Sequence, residues 1–219
     1  MKAMILAAGR GERMRPLTDH MPKPLLEVRG KPLLVWHMQK LSACGIKEII
    51  INIAHLGYKI PELLGDGSLW DVHITYSDEQ QEGALESGGG IIKALPLLGD
   101  ETFLVVNGDV FCDYNFENDF DLGDDLAHLI LVPNPNHNPH GDFGIINSRL
   151  LADAEEKYTF SGIGYYSHKL FEGLSIEKQA LAPILRKAIA KDKIGGTLWE
   201  KIWHDIGTPE RLREINLQM

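Results

Sequence analysis

The chain has 219 residues, 44% hydrophobic and 24% charged, a composition that excludes a disordered or fibrous chain and is sufficient for one sizeable core. Its 31 acidic against 22 basic residues leave a formal charge of −9, so nucleic acid and anionic membrane surfaces are repelled and neither is an expected partner. Cys44 and Cys112 lie far apart and form neither a disulfide framework nor a Cys-x-x-Cys pair; with a first apolar run that breaks at Gly9, too short to cross a bilayer, a cytoplasmic location is the expectation.

In chain order, apolar and partly β-branched runs at Met4 to Ala7, Glu48 to Ile53, His73 to Tyr76, Phe103 to Asn107 and His128 to Val132 read as buried parallel strands. Helix-length stretches separate them: Pro32 to Cys44, stopped by Gly45; Gly57 to Leu64; and Gly89 to Leu97, running into Gly99. The alternation predicts an α/β protein with a Rossmann-like open sheet, mixed but mostly parallel, with helices on both faces and ligands beyond the carboxyl ends of its strands. Gly9, Ser77 and Asp109 are thereby brought to one edge. Past the Pro133 to Gly141 loop come strands at Phe143 to Asn147 and Tyr158 to Tyr166 and helices near Gln179 to Ala190 and Pro209 to Leu217. This half reads as an extension of the same sheet. No repeat or linker divides the chain, so residues 1–219 are expected to form one domain of two halves, 1–112 and 113–219. Asp119, Asp121, Asp124 and Asp125 read as a solvated loop.

The chemistry concentrates first after the opening strand. In Gly9-Arg10-Gly11-Glu12-Arg13, two glycines let backbone N–H groups approach an anion closely. Met14 stands where a dinucleotide fingerprint needs its third glycine, and no Gly-Lys-Ser/Thr ending makes a P-loop. Arg13 and Arg15 add delocalised charge, and Pro22 and Pro24 stiffen the backbone that presents Lys23.

Leu6-Ala7-Ala8-Gly9 through Arg13, then Pro16-Leu17-Thr18, Pro22-Lys23-Pro24-Leu25 and Gly30-Lys31-Pro32, resemble the signature of the sugar-1-phosphate nucleotidyltransferases. The resemblance implies that Arg13 and Lys23 contact a triphosphate, and that Leu6, Ala7, Ala8, Gly9 and Gly11 line the base and phosphate site. It also implies that Glu86 and Gly88, in Leu85-Glu86-Ser87-Gly88-Gly89-Gly90, contact the base. A carboxylate at Glu86 accepts equally from the N3–H of uracil or thymine and from guanine N1–H, so the base is narrowed only weakly. Asn107-Gly108-Asp109 and Trp203-His204-Asp205 resemble the family's metal-binding segments; two carboxylates with phosphate oxygens and water suit Mg2+.

On the acceptor side the resemblance points to Asp142, Gly144, Ser161 and Gly162. The family's Glu-Lys-Pro motif appears here only as Glu156-Lys157-Tyr158, which leaves Lys157 without its usual context. The implied substrates are a nucleoside triphosphate, expected to be UTP, and a sugar 1-phosphate. A muramic acid derivative is the expected sugar, and Arg149, Lys157 and His140 are the candidate cations for its lactyl carboxylate. Glucose or mannose 1-phosphate, and a catalytically silent nucleotide-sugar sensor, remain alternatives. His137 and His140 lack the neighbours of a zinc site. The sequence specifies no oligomer, and a monomer is the default.

Overall fold

In the computed structural model, which describes residues 1–217, the strands in chain order are β1 (Lys2–Leu6), β2 (Glu27–Val28), β3 (Lys31–Pro32), β4 (Glu48–Ile53), β5 (His73–Asp78), β6 (Phe103–Asn107), β7 (Val110–Cys112), β8 (Ala127–Val132), β9 (Gly144–Ile146), β10 (Arg149–Leu151), β11 (Thr159–Tyr166), β12 (Ile194–Leu198) and β13 (Trp203–Asp205). The α-helices are α1 (Leu33–Ala43), α2 (Lys59–Leu64), α3 (Glu86–Leu98), α4 (Leu181–Ile189) and α5 (Pro209–Leu217).

Nine strands form one sheet in the order β5-β4-β1-β6-β11-β8-β12-β10-β9. The first four are parallel, β11 runs antiparallel between β6 and β8, and β12 returns parallel to β8. The second half thus continues the first half's sheet.

Both faces of this sheet are covered, which is why its central strands read as unbroken apolar runs. Along β1, Ala3 and Ile5 point into one core with Leu34, Val35, Met38 and Leu41 of α1. Met4 points into the other, with Ile91, Ile92 and Ala94 of α3 and Leu185 of α4. The α1 positions recur at helical spacing on one stripe, and each fully buried Leu or Met there contributes roughly 1.5–3 kcal/mol relative to exposure.

The largest departure from the sequence expectation lies at α3. Its helix begins at Glu86, two residues before the glycine run, so Gly88, Gly89 and Gly90 lie inside it and are buried. Close packing accounts for them: a Cβ on Gly88 would sit 2.9 Å from the carbonyl oxygens of Gln179 and Ala180, and one on Gly89 would overlap Glu177 O. Short strands without a long apolar run, β7, β10, β12 and β13, carry no periodicity signal of their own. One member of the acidic loop is also not free, since Asp125 pairs with Arg149 at 2.6 Å.

Candidate functional site

β1 and β6 are neighbours and end together, so the segments that follow them meet at one edge of the sheet. Gly108 N–H donates to Leu6 O at 2.9 Å, tying the two strand ends directly. Beyond this edge lies a cavity of about 530 Å³. It is lined by Leu6, Ala7 and Ala8 at the end of β1, by Gly9, Gly11 and Arg13 of the following loop, and by Lys23 and Asp109. Glu86, Ser87 and Lys178 form a further wall, and Glu86 approaches Lys178 at 3.8 Å. Ser77, at the end of β5, is buried and not part of this lining.

The glycine loop has a built shape. Gly11 holds φ 64°, and a Cβ there would lie 2.9 Å from Thr18 Cγ2 and 3.2 Å from Lys23 Cβ. Thr18 Oγ1 closes the loop by donating to Gly11 O at 2.7 Å. Gly9 differs, because a Cβ there would meet nothing within 4 Å. Gly11 is therefore needed for the fold of the loop, whereas Gly9 leaves its backbone open to the cavity.

Lys23 forms an ion pair with Asp109 Oδ2, their side chains being 11% and 28% exposed. Such partial burial weakens water's competition for the pair. The second acidic residue, Asp205, ends β13, which is paired antiparallel with β7. Ile206 N–H donates to Asp109 O at 2.8 Å, so the backbones of the two aspartates are adjacent although 96 positions separate them in sequence. The Asp205 carboxylate lies 3.1 Å from the Cβ position of Gly207, a cavity-lining residue. Arg211 and His137 both meet Asp205 Oδ1, the imidazole at 2.9 Å. Two hard carboxylates on adjoining strand ends, each already matched by cations, suit a divalent ion that phosphate oxygens and water would complete. Among the described residues, no group of three or more His, Cys, Asp or Glu side chains is arranged to hold a metal by itself.

Several expected residues do other work. Gly88 packs on the 179–180 backbone and does not line the cavity. Gly144 lies in β9 at the far end of the sheet, where a Cβ would overlap Ala154. Asp142 uses Oδ2 to accept from Phe160 N–H at 2.8 Å and Asn138 Nδ2 at 3.2 Å, bracing the 133–141 loop. Ser161 is buried and accepts from Ile163 N–H at 3.1 Å. Together with Gly162 it forms an irregularity in β11, and Gly162, at φ 78°, lies against the side chain of the cavity-lining Asn107. Arg149 is spent on Asp125 and Asp192, Lys157 approaches Asp153 at 3.4 Å, and His140 is exposed. The Arg211 guanidinium and the His137 imidazole, which meet Asp205 at the cavity margin, were not singled out from sequence, nor were the lining residues Asn52, Ser87 and Lys178. His137 had a signal only in its proline-rich loop.

The model of the family described as "Nucleotidyl transferase" matches residues 2–219. The chain belongs to this family. N-acetylmuramate alpha-1-phosphate uridylyltransferase of Neisseria meningitidis serogroup B is 50% identical over 98% of this chain and 96% of its own. A mannose-1-phosphate guanylyltransferase of Mycobacterium tuberculosis is 28% identical over 95% of this chain, which spans 61% of that protein. In fold, a putative glucose-1-phosphate thymidylyltransferase from Bacillus anthracis superposes with a TM-score of 0.85 at 24% identity, covering 99% of this chain and 94% of that one. Among the described residues no helix is long and apolar enough to cross a membrane.

Proposed function

We propose that this chain transfers a uridylyl group from UTP to N-acetylmuramic acid α-1-phosphate and releases pyrophosphate, as a single cytoplasmic domain serving cell-wall recycling. The observation that carries the reading is one cavity lined by both the glycine loop after β1 and the Lys23–Asp109 pair, with Asp205 brought to its margin. The choice of base and sugar is supported by half-identity along nearly the whole length of a relative with that name.

In this reading Leu6, Ala7, Ala8, Gly9, Gly11 and Glu86 receive the nucleotide. Arg13 and Lys23 bear on the triphosphate, and Asp109 and Asp205 would hold Mg2+, which supplies countercharge to the phosphate oxygens when bound. An oxygen of the acceptor's phosphate attacks the α-phosphorus in line. The bond to the β-phosphate bridging oxygen breaks, and pyrophosphate leaves on the opposite side. The attacking oxygen is already ionised near neutral pH, so no side chain has to remove a proton. The obstacle is repulsion between two anions, and residues that position them and offset their charge supply the rate.

For the sugar we assign the side of the cavity at Ser161 and Gly162, with Asp142 keeping Oδ1 for a hydroxyl. To a lactyl carboxylate we assign Arg211 and His137, which meet Asp205 at the cavity margin, in place of Arg149 and Lys157, which are not among the lining residues. A matrix of nucleoside triphosphates against sugar 1-phosphates, scored by pyrophosphate formed, tests the proposal. It expects one strong product from UTP with the muramic acid derivative. Stronger turnover of glucose or mannose 1-phosphate would transfer the assignment to those sugars, and no pyrophosphate from any pair would leave only a nucleotide-sugar binding role.

A further inference from the structure

Glu79 is an ionisable side chain with 0% exposure, and it stands just after β5, outside the cavity lining. Its Oε2 accepts from Leu85 N–H at 2.8 Å, and its Oε1 accepts from Asn52 Nδ2 at 2.7 Å. Asn52 in turn accepts from Ala7 N–H through Oδ1 at 2.7 Å. The amide orientation of Asn52 is fixed by its neighbours: Ala7 N–H can only donate and a carboxylate can only accept. A chain of three buried hydrogen bonds therefore runs from the cavity-lining Ala7 to Leu85, the residue before Glu86 and Ser87, which also line the cavity.

Several further features fit this chain. Gly90 lies beneath it, and a Cβ there would come within 2.8 Å of both Asn52 Nδ2 and Glu79 Oε1. Leu85 precedes the first turn of α3, where the helix's unpaired N–H groups favour a carboxylate. Glu86 itself holds φ 61°, a conformation that a non-glycine residue keeps only when its surroundings enforce it. Burial pushes the Glu79 carboxyl upward, and the hydrogen bonds from Leu85 and Asn52 hold it down.

We infer that Asn52 and Glu79 form a buried clamp that sets the separation between the Ala7–Gly11 side and the Glu86–Ser87 side of the cavity, so that Glu79 is a positioning residue for nucleotide affinity and base choice. It touches no substrate and acts through Leu85 and Ala7. The inference rests on the nucleotide site proposed above and adds to it a buried residue outside the cavity lining.

The chain of bonds offers a specific exchange. In Glu79→Gln one of the two acceptors becomes a donor facing another donor, so one link is lost. Adding Asn52→Asp restores all three: the new carboxylate accepts from Ala7 N–H and from the Gln amide, whose oxygen accepts from Leu85 N–H. The exchange moves the charge by one position and keeps its amount.

The test is UTP affinity by calorimetry, with kcat, UTP KM and thermal melting measured alongside, on the unaltered protein, on Glu79→Gln and on the Asn52→Asp/Glu79→Gln pair. One unmet buried hydrogen-bonding group should weaken UTP binding about tenfold in Glu79→Gln, with kcat at saturating UTP changed less than about threefold and preference for UTP over other triphosphates reduced. The double variant should recover to within about threefold of the original affinity. Should Glu79→Gln not fold, a folded double variant with near-original affinity still supports the clamp. The clamp is overturned by original affinity in a folded Glu79→Gln, or by a double variant that melts like the original yet binds UTP as weakly as the single one. UTP that binds but is never turned over removes the proposed reaction and leaves the clamp to be judged on the affinities. No triphosphate binding by the unaltered protein removes both.

Discussion

Replacing Lys23 by Met keeps most of the side-chain volume and removes the charge. Lys23 is 11% exposed, paired to Asp109 and part of the cavity wall beside the glycine loop. A unit charge about 4 Å from a phosphate oxygen is worth about 4 kcal/mol at an effective dielectric near 20. Removing a preorganised charge-stabilising group lowers turnover by on the order of a hundredfold to a thousandfold. The variant also leaves Asp109 without its internal cation, which should make that carboxylate a better ligand for a divalent ion. The account therefore expects two opposite movements in one variant: kcat falls at least about a hundredfold, while half-saturation in Mg2+ stays the same or moves to lower concentration. Pyrophosphate release followed across a Mg2+ titration at saturating UTP reads both. A kcat within about tenfold of the original would refute the charge argument, and Mg2+ rescue at high concentration would show that Lys23 serves only to organise the metal site.

Three further outcomes are expected. Gly11→Ala should destabilise the fold by about 1–3 kcal/mol, because its positive φ and the nearby Thr18 and Lys23 leave no room for a Cβ; Gly9→Ala should melt like the original and lose only nucleotide affinity. Equal melting of the two variants would contradict that division of roles. His37 is 2% exposed, and burial first, then the Lys40 charge, lower its pKa from 6.5 to about 4. The unfolded chain thus binds the proton first, so the contribution of neutral His37 is present above the unfolded pKa and is lost as pH falls from 6.5 toward about 4. This amounts to at most about 3 kcal/mol. Urea midpoints measured across that window should drop with acid less steeply in a folded His37→Leu variant; parallel curves would show that other groups set the acid slope. Asp205→Asn should lower turnover by at least about a hundredfold and weaken Mn2+ binding in a direct titration; unchanged metal affinity would detach Asp205 from the metal.

Which parts of this were readable before any coordinates depended on how local the physical cause was. Strands β1, β4, β6 and β8 were visible because burial on both faces forces nearly continuous apolar runs, the edge strand β5 because of its Ile74-Thr75-Tyr76 run, and α1 because its buried positions recur at helical spacing. The glycine run put the expected start of α3 at Gly89, three residues late, since glycine commonly marks a helix boundary, whereas here it admits the 177–180 backbone against the helix flank. Gly88 and Gly144 were expected at ligands on the family resemblance alone; sequence shows that a Cβ is missing and not what occupies its place. The pairing of β7 with β13 joins positions nearly a hundred residues apart, and no pattern in either segment announces it. Asn52 was the overlooked local clue, a lone amide within an Ile-Ile-Ile-Asn-Ile run. A buried polar group needs a partner, and that requirement leads to Glu79.

The central claim is that Asp109 and Asp205 share one divalent ion beside the glycine loop. Anomalous diffraction from crystals grown with Mn2+ and a non-hydrolysable UTP analogue measures it directly. The account predicts a manganese peak within coordination distance of both carboxylates and of the analogue's phosphate oxygens, with Lys23 displaced from Asp109 toward the phosphates. A peak that touches neither aspartate, or a triphosphate seated away from Gly9 and Gly11, would contradict it.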